Sequence, residues 1–152
     1  MRGRWAAFAL ILAWGLPLPG TAAVPMAQDL RAAAAGGVVL VVFTLAGCPY
    51  CERALRDHIA PMSLDPRYRQ VGFVEVRIDG AEPLTDFAGR ATRHADFARG
   101  AGARFGPTVK VYLADGREAA EPVVGLTLPD FYGAYLDRAV ETALAARAGS
   151  RP

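Results

Sequence analysis

Cross-linking residues are scarce in this chain. Only two of its 152 residues are cysteines, Cys48 and Cys51, so a scaffold held together by several disulfides is excluded. A chain of this length can bury a core of ordinary size without cross-links, and we expect one folded domain. The sequence therefore raises the question of what two neighbouring cysteines do in a protein that does not need them for stability.

The sequence also has little excess of either charge. The formal net charge is +2. Two arginines and no acids lie in the first 23 residues, so 15 basic and 15 acidic side chains remain in the rest. A basic stripe with interleaved aromatic residues is lacking, and Lys110 is the sole lysine. This charge pattern argues against nucleic acid as a partner.

A long apolar run is missing as well, except near the N-terminus. Two arginines precede an apolar stretch from Trp5 to Leu16, and prolines and small residues follow it. This order predicts a signal peptide over residues 1–23, with cleavage after Ala22 or Ala23. An uncleaved anchor is the alternative, but the run is shorter than the ~20 residues of a membrane span. We expect the domain over residues 24–152 to function outside the cytoplasm.

The rest of the chain alternates between strand and helix patterns. Residues 38–44 form an unbroken run of β-branched and apolar residues, which is typical of a strand buried on both faces in an α/β sheet. A short helix is predicted before this strand and another after it, ending at Pro61. The remaining early predictions are a short helix from Asp65-Pro66 and a strand over residues 72–79.

Residues 80–105 show the least regular pattern. One or two helices are expected there, including His94–Gly100. A strand over residues 108–113 then enters a hairpin that turns at Asp115-Gly116. A final helix is predicted from Thr127, with a core-facing stripe made of Phe131, Tyr135, Ala139 and Ala143.

The two cysteines lie at the junction between the apolar strand and the helix that follows it. A thiol at a helix N-terminus is stabilised as thiolate by unpaired N–H groups and the helix dipole. Cys48 is so placed and would attack a disulfide, and Cys51, one turn later, would resolve the mixed disulfide. Pro49 suits the first turn because its missing N–H has no helical partner there.

Other interpretations of the pair remain open. A structural clip is disfavoured, because so small a ring removes little entropy from the unfolded chain. A zinc site needs two further ligands, for which His58, His94 or carboxylates lie at no recognised spacing. A lone dithiol could also carry Cu(I), which soft thiolates select.

The order of motifs resembles the thioredoxin superfamily. The apolar strand, the Gly47-Cys48-Pro49-Tyr50-Cys51 segment with its helix, the later Gly106-Pro107-Thr108 and Gly125 at the hairpin's end all fit that pattern. The resemblance covers about residues 28–146. It implies the thioredoxin fold, in which a central mixed β-sheet is flanked by helices.

The resemblance also implies the second half of the site. In the superfamily a cis-proline faces the cysteines, and the adjoining backbone pairs with the substrate. Pro107 matches that proline, so Gly106, Pro107 and Thr108 are expected to bind substrate. Gly106 departs from the usual Thr, Val or Ile at its position, which would leave the groove more open.

A further departure concerns the proton that Cys51 must lose. Thioredoxins have a buried aspartate six positions before the first cysteine, where Val42 stands in this chain. Their partner lysine in the next strand aligns with Glu75. We hypothesise that Glu75 accepts the Cys51 proton; the alternative is a solvated strand residue.

Related families fit the motif less well. Pro49-Tyr50 is also the glutaredoxin dipeptide, but the Thr-Val-Pro and paired-glycine motifs of that family are absent. Oxidants of the DsbA type have His where Tyr50 stands, and they contain a large helical insertion. The region from Gly80 to Phe105 is too short for that insertion.

The small size and the C-terminal segment FYGAYLDRAV resemble periplasmic thioredoxins of the SoxS and SoxW kind. That resemblance implies a monomeric, cofactor-free reductant of client proteins with disulfides in the periplasm. Electrons would come from a membrane donor of the CcdA or DsbD type. The alternatives are a disulfide oxidase or isomerase of the Dsb type and a non-catalytic copper-binding module.

Overall fold

The computed structural model describes residues 23–149. Nearly all of the proposed signal peptide, residues 1–22, therefore lies outside the described part. The elements are, in chain order, α1 (Leu30–Ala33), β1 (Val38–Thr44), α2 (Pro49–Ala54), a π-helical segment (Leu55–Ile59), α3 (Ala60–Ser63), a 3-10 turn (Pro66–Tyr68), β2 (Val71–Arg77), β3 (Pro83–Thr85), β4 (Ala91–Arg93), α4 (His94–Gly100), β5 (Thr108–Leu113), β6 (Val123–Val124) and α5 (Pro129–Gly149).

The core of the fold is a four-stranded mixed sheet in the order β2-β1-β5-β6. β1 pairs parallel with β2 and antiparallel with β5. Every residue of β1 is buried, as its unbroken apolar sequence predicts for a strand covered on both faces. This architecture confirms the α/β fold class, with a central mixed sheet flanked by helices.

Alternate side chains of β1 supply two separate cores, one on each face of the sheet. Val38, Leu40 and Val42 pack with α2 and α5 on one face. The opposite face packs against α1, α4 and the small β3–β4 sheet. The cysteine-bearing helix therefore shares its side of the sheet with α5.

The helix that follows the cysteines does not end at Pro61, so that prediction is wrong. The chain continues helically to Ser63 through the π-helical segment, in which the Ala60 N–H donates to the Leu55 carbonyl. A proline in a regular α-helix would clash with the carbonyl four residues earlier, that of Asp57. The wider π turn moves this carbonyl aside and carries the helix past Pro61.

The core-facing stripe predicted for the last helix is also partly wrong. Phe131 is 62% exposed and Tyr135 is 42% exposed, because the helix turns a neighbouring row of larger apolar side chains toward the sheet. The buried residues of α5 are Tyr132, Leu136, Ala139, Val140 and Ala143.

The region between β2 and β5 contains a hairpin that the sequence did not predict. β3 and β4 pair antiparallel, and the helix His94–Gly100 follows them as predicted. Asp86 shapes the turn, since its Oδ1 accepts the N–H groups of Ala88 and Arg90 at 2.9 Å each. Strands of three residues are too short to give a periodic signal.

The segment before α1 lies along the outer edge of β2. Met26 forms a parallel bridge with Glu75, whose N–H donates to the Pro25 carbonyl at 2.8 Å. The buried side chain of His94 links this segment to β2. Its Nε2 lies 2.8 Å from the Ala27 carbonyl, and its Nδ1 accepts the Arg77 N–H. His94 is 1% exposed, so both ring nitrogens serve the fold. Within residues 23–149 no helix is long and apolar enough to cross a membrane.

Candidate active site

The two cysteines form a disulfide at the start of α2. Cys48 is the N-cap residue, and its Sγ accepts the Cys51 N–H at 3.2 Å. Cys48 is half-buried, whereas Cys51 is only 2% exposed. The more accessible sulfur is therefore that of Cys48, at the helix end that favours an anion.

The loop that leads into Cys48 is held by an aspartate at the end of β2. Asp79 Oδ2 accepts the backbone N–H of Ala46 at 3.2 Å. That backbone N–H holds the pKa of the Asp79 carboxyl below its usual value, and the Arg77 guanidinium adds to the effect. Asp79 was not predicted as a site residue; its one signal in the sequence is its place two residues after β2, a strand parallel to β1.

The Gly106-Pro107 segment lies against the disulfide. Its peptide bond is cis, and the Gly106 carbonyl oxygen is 3.8 Å from Cys48 Sγ. A Cβ added at Gly106 would lie 2.8 Å from Cys51 Sγ, closer than two such atoms approach. The glycine that departs from the superfamily pattern is thus required by the position of the disulfide itself.

The side chain of Thr108 is turned into the fold and does not face the cysteines. It is 3% exposed, and its hydroxyl donates to the Phe105 carbonyl at 2.7 Å. The neighbouring Pro107 carbonyl accepts the Gly125 N–H at 2.7 Å. The two loops are therefore tied together beside the cysteines.

Glu75 lies on the α2 side of the sheet, opposite Val42 in the β1–β2 register. Its Oε1 accepts the hydroxyl of Thr44 at 2.6 Å. Thr44 is 1% exposed and ends β1, and its carbonyl carbon lies 3.5 Å from the Cβ position of Gly106. Thr44 was not predicted as a site residue, since a threonine at the end of an apolar strand is unremarkable until the fold brings its hydroxyl beside the Glu75 carboxylate.

Apolar side chains surround the more exposed sulfur. Pro49 is exposed, Tyr50 is 64% exposed and Phe105 is 69% exposed. These side chains give the disulfide an apolar rim that a partner protein can cover.

The other candidate ligands do not gather around the cysteines. His58 packs edge-on against Tyr132, with ring centroids 5.1 Å apart, and His94 is enclosed on the opposite face of the sheet. Across the described residues, no three His, Cys, Asp or Glu side chains are grouped to hold a metal ion. The zinc alternative therefore finds no set of ligands in this part of the chain.

Comparison with known proteins identifies the family. The sequence profile of the thioredoxin-like domain matches residues 26–139, and the chain belongs to that family. Its Cys48–Cys51 pair makes it a thiol–disulfide oxidoreductase. No curated protein matches the chain in sequence.

Solved structures of thioredoxins share the fold. Trxlp from Edwardsiella tarda EIB202 is 22% identical with a TM-score of 0.52, over 70% of this chain and 88% of that chain. Oxidised mitochondrial thioredoxin 3 from Saccharomyces cerevisiae is 15% identical with a TM-score of 0.54, over 78% and 93%. The periplasmic thioredoxin SoxS from Paracoccus pantotrophus is 24% identical with a TM-score of 0.48, over 70% and 98%. Similarity at these identities concerns the fold alone.

Proposed function

We propose that this protein is an exported reductant that transfers electrons from a membrane donor to the disulfides of client proteins in the periplasm. The observation that carries the proposal is the asymmetry of the disulfide. Cys48 faces the surface at a helix N-terminus, and Cys51 is buried behind it. The Cys48 sulfur can exchange with a disulfide or thiol of another protein. The Cys51 sulfur can then resolve the mixed disulfide.

The reaction runs in two exchanges. In the reduced protein the Cys48 thiolate attacks a client disulfide, forming a mixed disulfide and releasing one client thiolate. Cys51 then loses its proton and attacks Cys48 Sγ, which releases the second client thiolate. The protein is left with the Cys48–Cys51 disulfide, and two electrons from a membrane donor of the CcdA or DsbD type restore the dithiol.

Gly106, Pro107 and Thr108 bind the client backbone in this proposal. The Gly106 carbonyl lies beside the attacking sulfur, and the buried Thr108 side chain fixes the loop to which it belongs. The absence of a side chain at Gly106 lets this backbone approach Cys51 closely, and the exposed rings of Tyr50 and Phe105 offer apolar contacts.

Glu75 is proposed to accept the Cys51 proton. It lies on the face of the sheet that α2 covers, and the Thr44 hydroxyl orients its carboxylate. A carboxylate in this place can hold a proton in the resolving step and return it to solvent through the groove beside α2.

The reducing direction is supported by the residues around Cys48. Tyr50 stands where DsbA-type oxidants have a histidine, so no imidazole adjoins the thiolate. Residues 80–105 form a small hairpin and one helix rather than a helical domain. Groups that stabilise the thiolate also stabilise the reduced protein and make it a weaker reductant. Without such a group beside Cys48, the dithiol form is the stronger reductant.

The deciding experiment is the equilibrium potential of the Cys48–Cys51 couple against glutathione. We expect a value near that of thioredoxin, about −270 mV. A value near −120 mV would identify an oxidase instead. The Cys51→Ala variant should trap clients as mixed disulfides on Cys48, and the Cys48→Ala variant, which lacks the attacking sulfur, is the control that should trap none.

A further inference from the structure

A groove beside the active-site helix contains two acidic side chains. It has a volume of about 630 Å³ and lies between α2, the π-helical segment and β2. Its walls are mostly apolar, with Leu55, Pro61 and Leu64 among them. Glu75 and Glu52 both line it.

The charges in this groove are unbalanced. Within residues 23–149, neither Glu75 nor Glu52 lies within ion-pair distance of a cation, although Glu52 interacts electrostatically with Arg56. The Glu75 side chain has only the hydrogen bond from Thr44. Arg56 also lines the groove, but its guanidinium is bound to Asp57, with Nε 2.7 Å and Nη2 3.1 Å from the two carboxylate oxygens. The groove would therefore accept a positive group near Glu75.

The start of the described chain runs into the same groove. Ala23 and Val24 line it, and Val24 packs against the core on this face of the sheet. The position is fixed by backbone pairing, because Glu75 N–H donates to the Pro25 carbonyl and Ala27 N–H donates to the Glu75 carbonyl, each at 2.8 Å. Val24 is two residues before Met26, which bridges to Glu75, so its backbone lies within about 7 Å of that pair along the strand.

Cleavage of the leader after Ala22 or Ala23 would create a new chain end at Ala23 or Val24. An α-amino group has a usual pKa of about 7.7–8.0 and is largely protonated at neutral pH. Both possible ends lie in the groove that contains Glu75. Before cleavage, the same nitrogen is an uncharged peptide amide.

We propose that, once the leader is removed, the α-ammonium group of Ala23 or Val24 forms an ion pair with Glu75 in this groove. The inference rests on the proposed export and cleavage. It makes the chain terminus a positioning group for the residue proposed to accept the Cys51 proton. The uncleaved chain lacks the charge, so maturation alters the electrostatics behind the disulfide.

The α-amino group can be followed directly. A chain that begins at Ala23 is prepared by proteolysis of a fusion, and its amines are reductively methylated with ¹³C and titrated by NMR. Lys110 is the only lysine, so the spectrum has two amine signals, and the second is an internal reference. We expect the α-amino group to titrate about half a unit above its usual range, because a carboxylate favours its charged form.

The variants test the partner. Glu75→Gln keeps an acceptor for Thr44 and should return the α-amino titration to its usual range, whereas Glu52→Gln should move it less. Glu121→Gln, on the exposed connection to β6, is the matched control and should leave it unchanged. Two residues added before Ala23 should also restore the usual titration by moving the charge away.

The inference would be overturned if the α-amino group titrates in its usual range and its pKa is unchanged by Glu75→Gln. This holds whether or not the protein reduces disulfides. Conversely, a shifted α-amino group in a protein with an oxidising potential would leave the ion pair standing and overturn only the reductant proposal. The two failures are thus separately observable.

Discussion

Gly106 shows how closely a single residue is constrained by the disulfide. Its backbone lies between Cys51 Sγ and the end of β1, so that an added Cβ would meet the sulfur at 2.8 Å and the Leu45 nitrogen at 3.4 Å. One neighbour is a covalently fixed sulfur and the other is backbone, so neither can yield easily. The position excludes side chains for packing reasons, so the glycine allows close approach to the disulfide and the more open groove expected from the sequence does not follow from it.

Gly106→Ala should therefore destabilise the oxidised protein, by about 1–3 kcal/mol, the usual cost of overpacking a filled site. Urea unfolding of the oxidised variant measures the change. Gly100→Ala is the matched control, because a Cβ there has no atom within 4 Å, and its midpoint should stay the same or rise slightly. Equal stability of the two variants would contradict the packing argument.

The Thr44–Glu75 pair leads to a kinetic prediction at the same scale. Removing a positioned general base slows a proton-dependent step by about 100-fold, the lower end of the usual range. We expect Glu75→Gln to slow client release from the mixed disulfide by that order and to flatten its pH dependence. Thr44→Val keeps the Glu75 carboxylate but removes the hydroxyl that orients it. This variant should slow client release less than Glu75→Gln does.

The measurement is the rate of thiol release from a preformed mixed disulfide on Cys48, as a function of pH. Glu121→Gln is again the control. A release rate and pH profile unchanged in Glu75→Gln would show that Glu75 is a solvated strand residue with no part in the proton transfer.

Among the secondary-structure elements, the β3–β4 hairpin depends on one charged side chain. The backbone N–H of Arg90 is the main cause that holds the pKa of the Asp86 carboxyl below its usual value, and the Arg90 guanidinium contributes further. The Asp86 side chain is only 12% exposed, whereas that of Arg90 is 79% exposed, so solvent weakens the guanidinium bond more than the backbone bonds. An aspartate with a lowered folded-state pKa stabilises the fold above its unfolded pKa of about 3.9.

Asp86→Asn should cost about 1–2 kcal/mol at neutral pH, because hydrogen bonds to a charged acceptor are lost. The difference from the parent protein should disappear as pH falls from about 4 through the lowered pKa, where the parent carboxylate also becomes protonated. Denaturant unfolding from pH 7 to pH 2 checks this. Asp96→Asn, whose ion pair with Arg99 is exposed, is the control, and a pH-independent difference for Asp86→Asn would refute the charge argument.

The active-site helix illustrates a second limit at the element scale. Its sequence pattern gives the start correctly, because Pro49 suits the first turn of a helix. The pattern does not reveal that the helix continues past Pro61, since a π turn depends on packing of the neighbouring residues against the sheet. Ile59 and Met62, both buried, supply that packing.

For the whole molecule, the proposed signal peptide predicts export. Expression of the 152-residue chain in a bacterium with a periplasm should yield a periplasmic protein whose intact mass begins at Ala23 or Val24. Leu10→Arg, which interrupts the apolar run, should leave the uncleaved form in the cells because the hydrophobic segment is what the export machinery recognises. A protein of full mass in the membrane fraction would indicate an anchor instead.

The sequence by itself determined the sheet, the site of the disulfide and the proline that faces it. The role of Pro107 is what the resemblance to the thioredoxin superfamily implies. The strands and the cysteine pair depend on local chemistry: an apolar strand and a cysteine at a helix start. Helix His94–Gly100 was predicted for the same reason. The hairpin before that helix was missed because strands of three residues carry too little periodicity.

Only the tertiary structure decided which residues act together. Thr44, Glu75 and Asp79 reach the site because β1 and β2 are parallel and in one register, and register is set by contacts far apart in sequence. The closeness of Gly106 to Cys51, and of the chain's start to Glu75, follows from how the strands and loops pack. The sequence therefore specified the reacting sulfurs, and packing decided the charges and space around them.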